Sequence, residues 1–372
     1  MFTICEITNG KIDEFLKCPY EIYKGNPYWI PQLDRDMKMI LSDKNPFWQH
    51  AKKALFLAYD DKGKLAGRIA AVIDYNYIKF QENEIGFFGF FECINNTEAA
   101  KRLFECAREF LAKNNIKKMM GPMNPSTNDE VGFLYEGFDS PAKIMMPYTH
   151  DYYIALAEKS GLKKIKELYA YEIPVALDGR MERLNKALNI VKKRNPTITL
   201  KTFEKKNFKK DLADVREIYN QAWEKNWGFV PWTDEEFEAI AKNLVGLVDE
   251  KIIILAYDGQ KPAGMLIAIP DYNEVLNKLN GKLLPFGIFK FLYYKNKIKD
   301  LRLMIMGVKK EYRNKGIEAY MAGEALKNSV LGGYRNCELS WILDDNIMTQ
   351  RTAEMMSGRL YKRYAVYSDS EI

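Results

Sequence analysis

Met306-Gly307-Val308-Lys309-Lys310-Glu311-Tyr312-Arg313-Asn314-Lys315-Gly316-Ile317-Glu318 is the stretch that decides how this 372-residue chain is read. Residues 303–308 form an apolar, strand-like lead. From about residue 315 to 330 an amphipathic helix follows, stopped by Gly332-Gly333. A helix N-terminus offers unpaired backbone N–H groups and the positive end of its dipole, and both attract an anion. Gly316 removes a side chain that would block a phosphate, and Arg313 and Lys315 add charge. From Lys290 to Lys315 nine basic residues stand against two acidic ones, in a chain otherwise balanced at 56 to 50. Charge alone would read as a solvated basic face. Strand, basic turn, glycine and helix in that order read as an anion loop.

The same order of elements occurs about 200 residues earlier. Leu57-Ala58-Tyr59-Asp60, Ala66-Gly67 and Asp74-Tyr75-Asn76 answer Leu255-Ala256-Tyr257-Asp258, Ala263-Gly264 and Asp271-Tyr272-Asn273, and Pro31 answers Pro231. The offset drifts only from 200 to 197, as small loop indels would produce, so the chain reads as a duplicated architecture. Each half predicts a hairpin, at residues 54–59 with 65–73 and at 251–257 with 263–269. A further strand (85–91, 303–308), a long helix and another strand (116–121, 337–343) complete each half. Thr233 and Glu236 form a capping box at the start of a helix in the second half. The fold class is therefore α/β, in an α+β layered arrangement. It has two tandem domains, each a mixed, mostly antiparallel sheet flanked by helices. Their expected bounds are 1–177 and 198–372, with a linker helix at 178–197 carrying Met181, Leu184, Leu188 and Val191 at heptad-like spacing.

Composition excludes several classes. At 47% hydrophobic and 28% charged residues, with 23 Gly and 14 Pro, the chain is not collagen-like, low-complexity or wholly disordered. A net charge of +6 is too mild to imply nucleic acid, and Phe87, Phe88, Phe90 and Phe91 around Gly89 read as core and not as a stacking platform. Five cysteines without a CxxC spacing, and only His50 and His150, argue against a zinc cluster. They fit reduced, buried cysteines in a cytoplasmic protein. No signal peptide is expected. The most apolar run, residues 283–294, is interrupted by Lys290 and too short to be a transmembrane segment. No nucleophile elbow, Walker loop or dinucleotide fingerprint is present.

Arg313-Asn314-Lys315-Gly316-Ile317-Glu318 resembles the coenzyme A pyrophosphate loop of the GCN5-related N-acetyltransferases, whose pattern is Gln/Arg-x-x-Gly-x-Gly/Ala. Arg313 and Gly316 fit, and Glu318 stands where the last small residue belongs. The chain also resembles a group of largely uncharacterised bacterial proteins built from two such domains. That likeness is most distinctive from Gly121-Pro122-Met123-Asn124 through Asn128-Asp129-Glu130 to Glu136-Gly137-Phe138. The first half lacks the loop, since Glu92-Cys93-Ile94-Asn95-Asn96 carries no glycine and no base, and is expected to be degenerate.

The resemblance implies an N-acyltransferase using acetyl-CoA or a longer acyl-CoA as donor and a small-molecule amine as acceptor. The other reading is a non-catalytic ligand-binding or scaffold protein that retains the fold. Met306 and Val308 would hydrogen-bond the pantetheine arm, and Arg313 with the amides of Asn314, Lys315, Gly316, Ile317 and Glu318 would hold the pyrophosphate. Substituting Gly316 should then weaken cofactor binding and spare the fold. Asn346 matches the asparagine that opens the family's next helix. Many members carry a tyrosine seven residues later, where this chain has Ala353. Tyr361, near Tyr364 and Tyr367, is left as the candidate proton donor, or as one aromatic of a final strand. Glu338, opening an apolar strand, is the candidate base, or a strand-end glutamate facing water or a lysine.

Two further segments stand out. Asn124, Asn128, Asp129, Glu130 and Tyr148 form a polar cluster that reads as an acceptor site or as Asx-rich turns. Residues 274–300 are an insertion where the first half has only 77–84, with a short helix (Val275, Leu276, Leu279) before the apolar run and Lys290, Lys295 and Lys297 on its flank. Such a run is expected to cover the first domain, to line an apolar pocket through Phe286, Phe289, Phe291 and Leu292, or to touch a membrane surface.

Overall fold

The computed structural model describes residues 1–7, 11–176, 179–224 and 226–370, apart from the side chains of 179–184 and 187. Met181 and Leu184 of the expected linker stripe lie outside the described side chains. In chain order the structure begins β1 (Thr3–Glu6), α1 (Ile12–Ile22), α2 (Asp34–Leu41), β2 (Ala51–Tyr59), β3 (Leu65–Asp74) and α3 (Tyr75–Gln81). It continues with β4 (Ile85–Cys93), α4 (Thr97–Lys113), β5 (Lys118–Gly121), β6 (Met123–Asn124), β7 (Glu130–Val131), β8 (Phe133–Glu136) and α5 (Tyr152–Lys159). Next come β9 (Lys163–Pro174), α6 (Gly179–Arg194), β10 (Ile198–Thr202), α7 (Phe208–Trp223), α8 (Asp234–Leu244), β11 (Ile253–Asp258) and β12 (Lys261–Pro270). The chain ends with α9 (Asn273–Leu279), α10 (Gly287–Tyr294), β13 (Asp300–Val308), α11 (Ile317–Leu331), β14 (Asn336–Leu343), α12 (Ile347–Met355) and β15 (Arg359–Ser368).

Local chemistry accounts for many of these boundaries. Asp60 closes the first hairpin by accepting the N–H groups of Lys62 and Lys64 at 2.9 and 2.8 Å. Asn96 caps α4 through the amides of Glu98 and Ala99. The Thr233–Glu236 capping box opens α8 as its spacing predicts.

The chain forms two compact units. The first comprises residues 1–169, 273–296 and 361–372, and the second 170–272 and 297–360. In the first, β1 to β4 pair antiparallel in sequence order, α4 crosses over, and β5 joins parallel to β4. In the second, β10 to β13 pair antiparallel, α11 crosses over, and β14 joins parallel to β13. The echo in the sequence is thus a repeated strand order, and each unit is a mixed, mostly antiparallel sheet with helices against it.

Period-2 alternation sorts the second sheet's faces. Ile254 and Ala256 pack with Ile317 and Met321 of α11, while Leu255 and Tyr257 pack with Val215 and Ile218 of α7. The first unit's core is aromatic: Phe91 stacks on Phe104 at 4.7 Å, Phe88 and Phe133 meet this pair edge-on, and they meet each other tilted. All four phenylalanines of β4 are buried, as expected of core. Cys18 and Cys93 are buried, but Cys5, Cys106 and Cys337 are only half-buried, because they sit at partly solvated positions of their elements; all five are free.

The last strand belongs to the first unit by its contacts. Tyr367 and Ser368 pair with Gly121 and Met120 of β5, and Arg363 to Ala365 pair with β8. Tyr364 and Tyr367 are fully buried. A chain ending at Leu360 is therefore expected to lose the cooperative unfolding of the first unit, since each deleted buried aromatic is worth about 3–5 kcal/mol. Near-UV circular dichroism and urea denaturation check this, and unchanged first-unit signals would contradict the pairing.

Candidate functional site

Within the first unit, β3 and β4 set an opposite-charge pair side by side, with Arg68 facing Glu92 in register. The charged atoms lie 3.6 Å apart and the side chains are only 6% and 12% exposed. Arg68 Nη1 donates to Phe15 O at 2.9 Å, and the guanidinium lies over the Phe15 ring. Glu92 accepts from the Tyr153 hydroxyl at 2.7 Å, and the Tyr23 hydroxyl, which donates to Tyr148 O at 3.2 Å, lies close enough to favour the charged carboxylate. Burial pushes the Glu92 carboxyl above its ordinary 4.5, against the opposing pull of Arg68 and both tyrosines. Burial likewise holds the Tyr23 and Tyr153 hydroxyls well above the ordinary range, so both remain protonated donors.

A bulge in β4 shapes the floor beside this pair. The register slips one residue beyond Arg68, and Phe90 adopts a φ of 49°. The Phe90 N–H is taken by Asn124 Oδ1 at 2.6 Å. Gly89 is required here, because a Cβ would fall 1.8 Å from the Met123 carbonyl oxygen. A run of parallel rings, Trp29, Tyr23, His150 and Tyr152, stacks alongside at centroid spacings of 4.9, 4.5 and 4.8 Å. Burial lowers the His150 pKa below 6.5, which favours a neutral ring in the stack.

These elements enclose a cavity of about 290 Å³. Its lining includes Arg68, Glu92, Asn124, Asp129, Glu130 and Tyr148 together with apolar Leu33, Met37, Ile40, Met145 and Leu276. Arg68 Nε is buried without a hydrogen-bond partner among the described residues, a donor that a ligand oxygen would satisfy. Ser126 Oγ ties Asp129 at 2.6 Å, Gln32 donates to Glu130, and Tyr148 donates to Phe138 O. Four of the five polar residues singled out in the sequence therefore line one cavity; Asn128 does not, its N–H being held by Ser126 Oγ. Burial pushes the Cys18 thiol up and the Cys93 thiol up to about 12, so neither is a thiolate nucleophile at neutral pH.

Arg68, Glu92, Tyr23 and Tyr153 were not singled out in the sequence. The signal was there: one arginine in β3 and one glutamate in β4, each flanked by apolar or small residues.

The second unit carries the basic loop. β13 pairs with β14 over Asp300–Leu303 and runs on to Val308, where Met306 is half-buried and Val308 buried. Gly316 has a φ of 77° and precedes the first turn of α11. Ile317 enters the core, and Glu318 lies half-exposed in that turn. Arg313 is exposed and donates to Ala222 O at 2.8 Å; Asn314 takes a φ of 61°. Lys315 lies over the Tyr312 ring, and its carbonyl accepts from Asn195 Nδ2 at 3.1 Å.

Two expectations change here. Gly316 is a structural requirement, because a Cβ would fall 2.9 Å from Val191 Cγ2 in a left-handed backbone conformation. Its substitution strains the fold and is not a clean probe of cofactor binding. Glu338 does not face water at a strand end: it is fully buried, accepts from Ser340 Oγ at 2.6 Å and lies 3.7 Å from Arg302 Nε. Asn346 caps α12 by accepting from the Thr349 N–H. Tyr361 lies in the first unit, on β15, with the Lys362 ammonium over its ring.

The loop is basic and exposed. The last turn of α6, touching it through Val191 and Asn195, adds exposed Lys192, Lys193 and Arg194 to Arg313 and Lys315. These residues suit the phosphates of coenzyme A. No described helix is long and apolar enough to cross a membrane.

Breaking the buried pair tests its importance. Arg68→Met or Glu92→Leu alone is expected to cost about 3–5 kcal/mol, and the double variant much less than the sum. Because the folded carboxyl binds its proton more tightly than the unfolded one, the Glu92 contribution to stability falls as pH rises from 4.5 through the raised value. Glu92→Gln should remove that slope from the urea midpoint measured against pH.

No protein-family profile matches the chain. Among curated proteins it is 32% identical over 369 residues to the bacterial ceramide synthase of Caulobacter vibrioides (strain NA1000 / CB15N), covering 97% of this chain and 95% of that protein. It is 31% identical over 367 residues to protein YghO of Escherichia coli (strain K12), covering 97% and 93%. Among solved structures, a tandem GNAT protein from the clavulanic acid biosynthesis pathway aligns with a TM-score of 0.57 at 10% identity over 99% of this chain and 98% of that one. A GCN5-related N-acetyltransferase from Sphaerobacter thermophilus aligns at 0.53 and 11% identity over 99% and 95%. At these identities the structures speak for the fold alone: it is that of the GCN5-related N-acetyltransferases.

Proposed function

Because the chain belongs to one family with the Caulobacter bacterial ceramide synthase and Escherichia coli YghO, we propose that it is an acyl-CoA-dependent N-acyltransferase acting on a long-chain amino alcohol. A ceramide is the amide of such an amine with a fatty acid. The observation that carries the reading is the buried Glu92, raised in pKa, in a cavity that also offers apolar wall and an unsatisfied Arg68 donor.

An acyl-CoA thioester supplies the activated acyl group. Arg313, Lys315 and the first amides of α11 are the proposed holders of its phosphates. Acceptor recognition is read within the first unit alone. Asp129 and Glu130 attract the ammonium of the acceptor, and Leu33, Met37 and Ile40 take part of its alkyl chain. Arg68 and the two tyrosines hold Glu92 in place, and Arg68 Nε is the proposed donor to an acceptor hydroxyl. Glu92 takes the ammonium proton at its carboxylate, leaving a neutral amine nucleophile. Glu92, which lines the cavity, is the proposed base in place of Glu338, which is buried against Ser340 and Arg302.

Mass spectrometry of products from a long-chain acyl-CoA and a sphingoid-type amine tests this. Wild type is expected to form the amide, Glu92→Gln to lower kcat by about 10²–10⁴-fold, and Arg313→Ala to raise the KM for acyl-CoA with kcat nearly unchanged. An inactive wild type that still binds the amine would favour a binding protein retaining the fold.

A further inference from the structure

Residues 273–296 belong to the first unit and have two dissimilar sides. α9 buries Val275 and Leu279, and its Leu276 lines the cavity. α10 buries nothing. Leu284, Phe286, Phe289, Leu292 and Tyr293 stand 74%, 76%, 69%, 50% and 60% exposed, five large apolar side chains within ten residues. The insertion packs with the first unit, as expected, but these five side chains of its apolar run face solvent, a heavy cost unless something covers them. Lys290 Nζ donates to the Lys278 carbonyl, tying α10 to α9.

Charge selects the occupant. Lys278, Lys282, Lys290 and Lys295 of this segment are exposed, and Glu274 is its one acidic residue. A second copy of the chain would bring the same lysines against these. An anionic lipid surface complements them while accepting Phe, Leu and Tyr at headgroup depth. We propose that α10 and the preceding residues 284–286 dock this protein on anionic membrane surfaces, beside the helix that walls the cavity. The proposal does not depend on the reaction proposed above: docking is read without turnover.

Flotation of the full chain with vesicles tests it. Wild type is expected to float with phosphatidylglycerol-rich vesicles and at least tenfold less with pure phosphatidylcholine. The triple variant Phe286→Ser, Phe289→Ser and Leu292→Ser should lose at least tenfold on anionic vesicles at unchanged Tm. Lys290→Glu with Lys295→Glu should abolish the preference for anionic lipid. Should the triple variant fail to fold, Tyr293→Trp gives an independent readout: brominated anionic lipid should quench the fluorescence that this variant gains over wild type. The proposal is overturned if wild type stays unbound, if the triple variant floats as well as wild type, or if the indole introduced by Tyr293→Trp is not quenched. It is equally overturned if the same residues drive a concentration-dependent dimer in sedimentation velocity with no vesicle binding.

Discussion

The first unit is organised around one ion pair that ought to be costly. Burying a guanidinium and a carboxylate costs several kcal/mol per ion, and mutual attraction repays this only when further hydrogen bonds complete both groups. Arg68 and Glu92 recruit those bonds from distant parts of the chain. Phe15, whose carbonyl accepts from Arg68, lies in α1; Tyr23 follows α1, and Tyr153 comes from α5. The pair therefore fixes α1 and α5 against β3 and β4, and with them the ring stack through Tyr23 and His150. Among the described residues, Arg68 Nε makes no hydrogen bond, and Arg68 lines the cavity. A site that leaves a buried donor unsatisfied keeps a preference for a ligand that completes it.

Duplication gave the two sheets the same strand order and different sites. In the first unit the polar residues after β5 fill the region by β4: Asn124 takes the Phe90 N–H, and Met123 sits against Gly89. In the second, the corresponding strand β13 ends in a basic loop and the N-terminus of α11. The first half, expected to be degenerate because it lacks the glycine loop, holds the cavity and the largely buried carboxylate. Loss of one anion loop says little about what else a unit binds.

Local signals were legible and non-local ones were not. Asp60, Asn96 and the Thr233–Glu236 box act on their own neighbours, so spacing alone reveals the hairpin and helix starts. The polar cluster at Asn124, Asp129, Glu130 and Tyr148 was visible by composition. Glu92 was passed over because its meaning comes from Arg68, 24 positions earlier, and from Tyr153, 61 later. The surroundings of Glu338 were hidden for the same reason: its partner Arg302 lies on a parallel strand. Gly316 was read as clearance for a phosphate, whereas its φ and the nearness of Val191 already require glycine. The return of 361–368 to β5 and β8 is a pairing across more than two hundred residues, with no local mark in the chain.

The central claim is that the first unit's cavity receives the amine. A long-chain amine bearing a photoreactive group near its head, cross-linked to the intact protein and mapped by peptide mass spectrometry, tests it most directly. Label is predicted on peptides spanning 29–40 and 122–149, reduced by excess unmodified amine and by Arg68→Met. Saturable label confined to other segments, with these peptides unmodified, would contradict it.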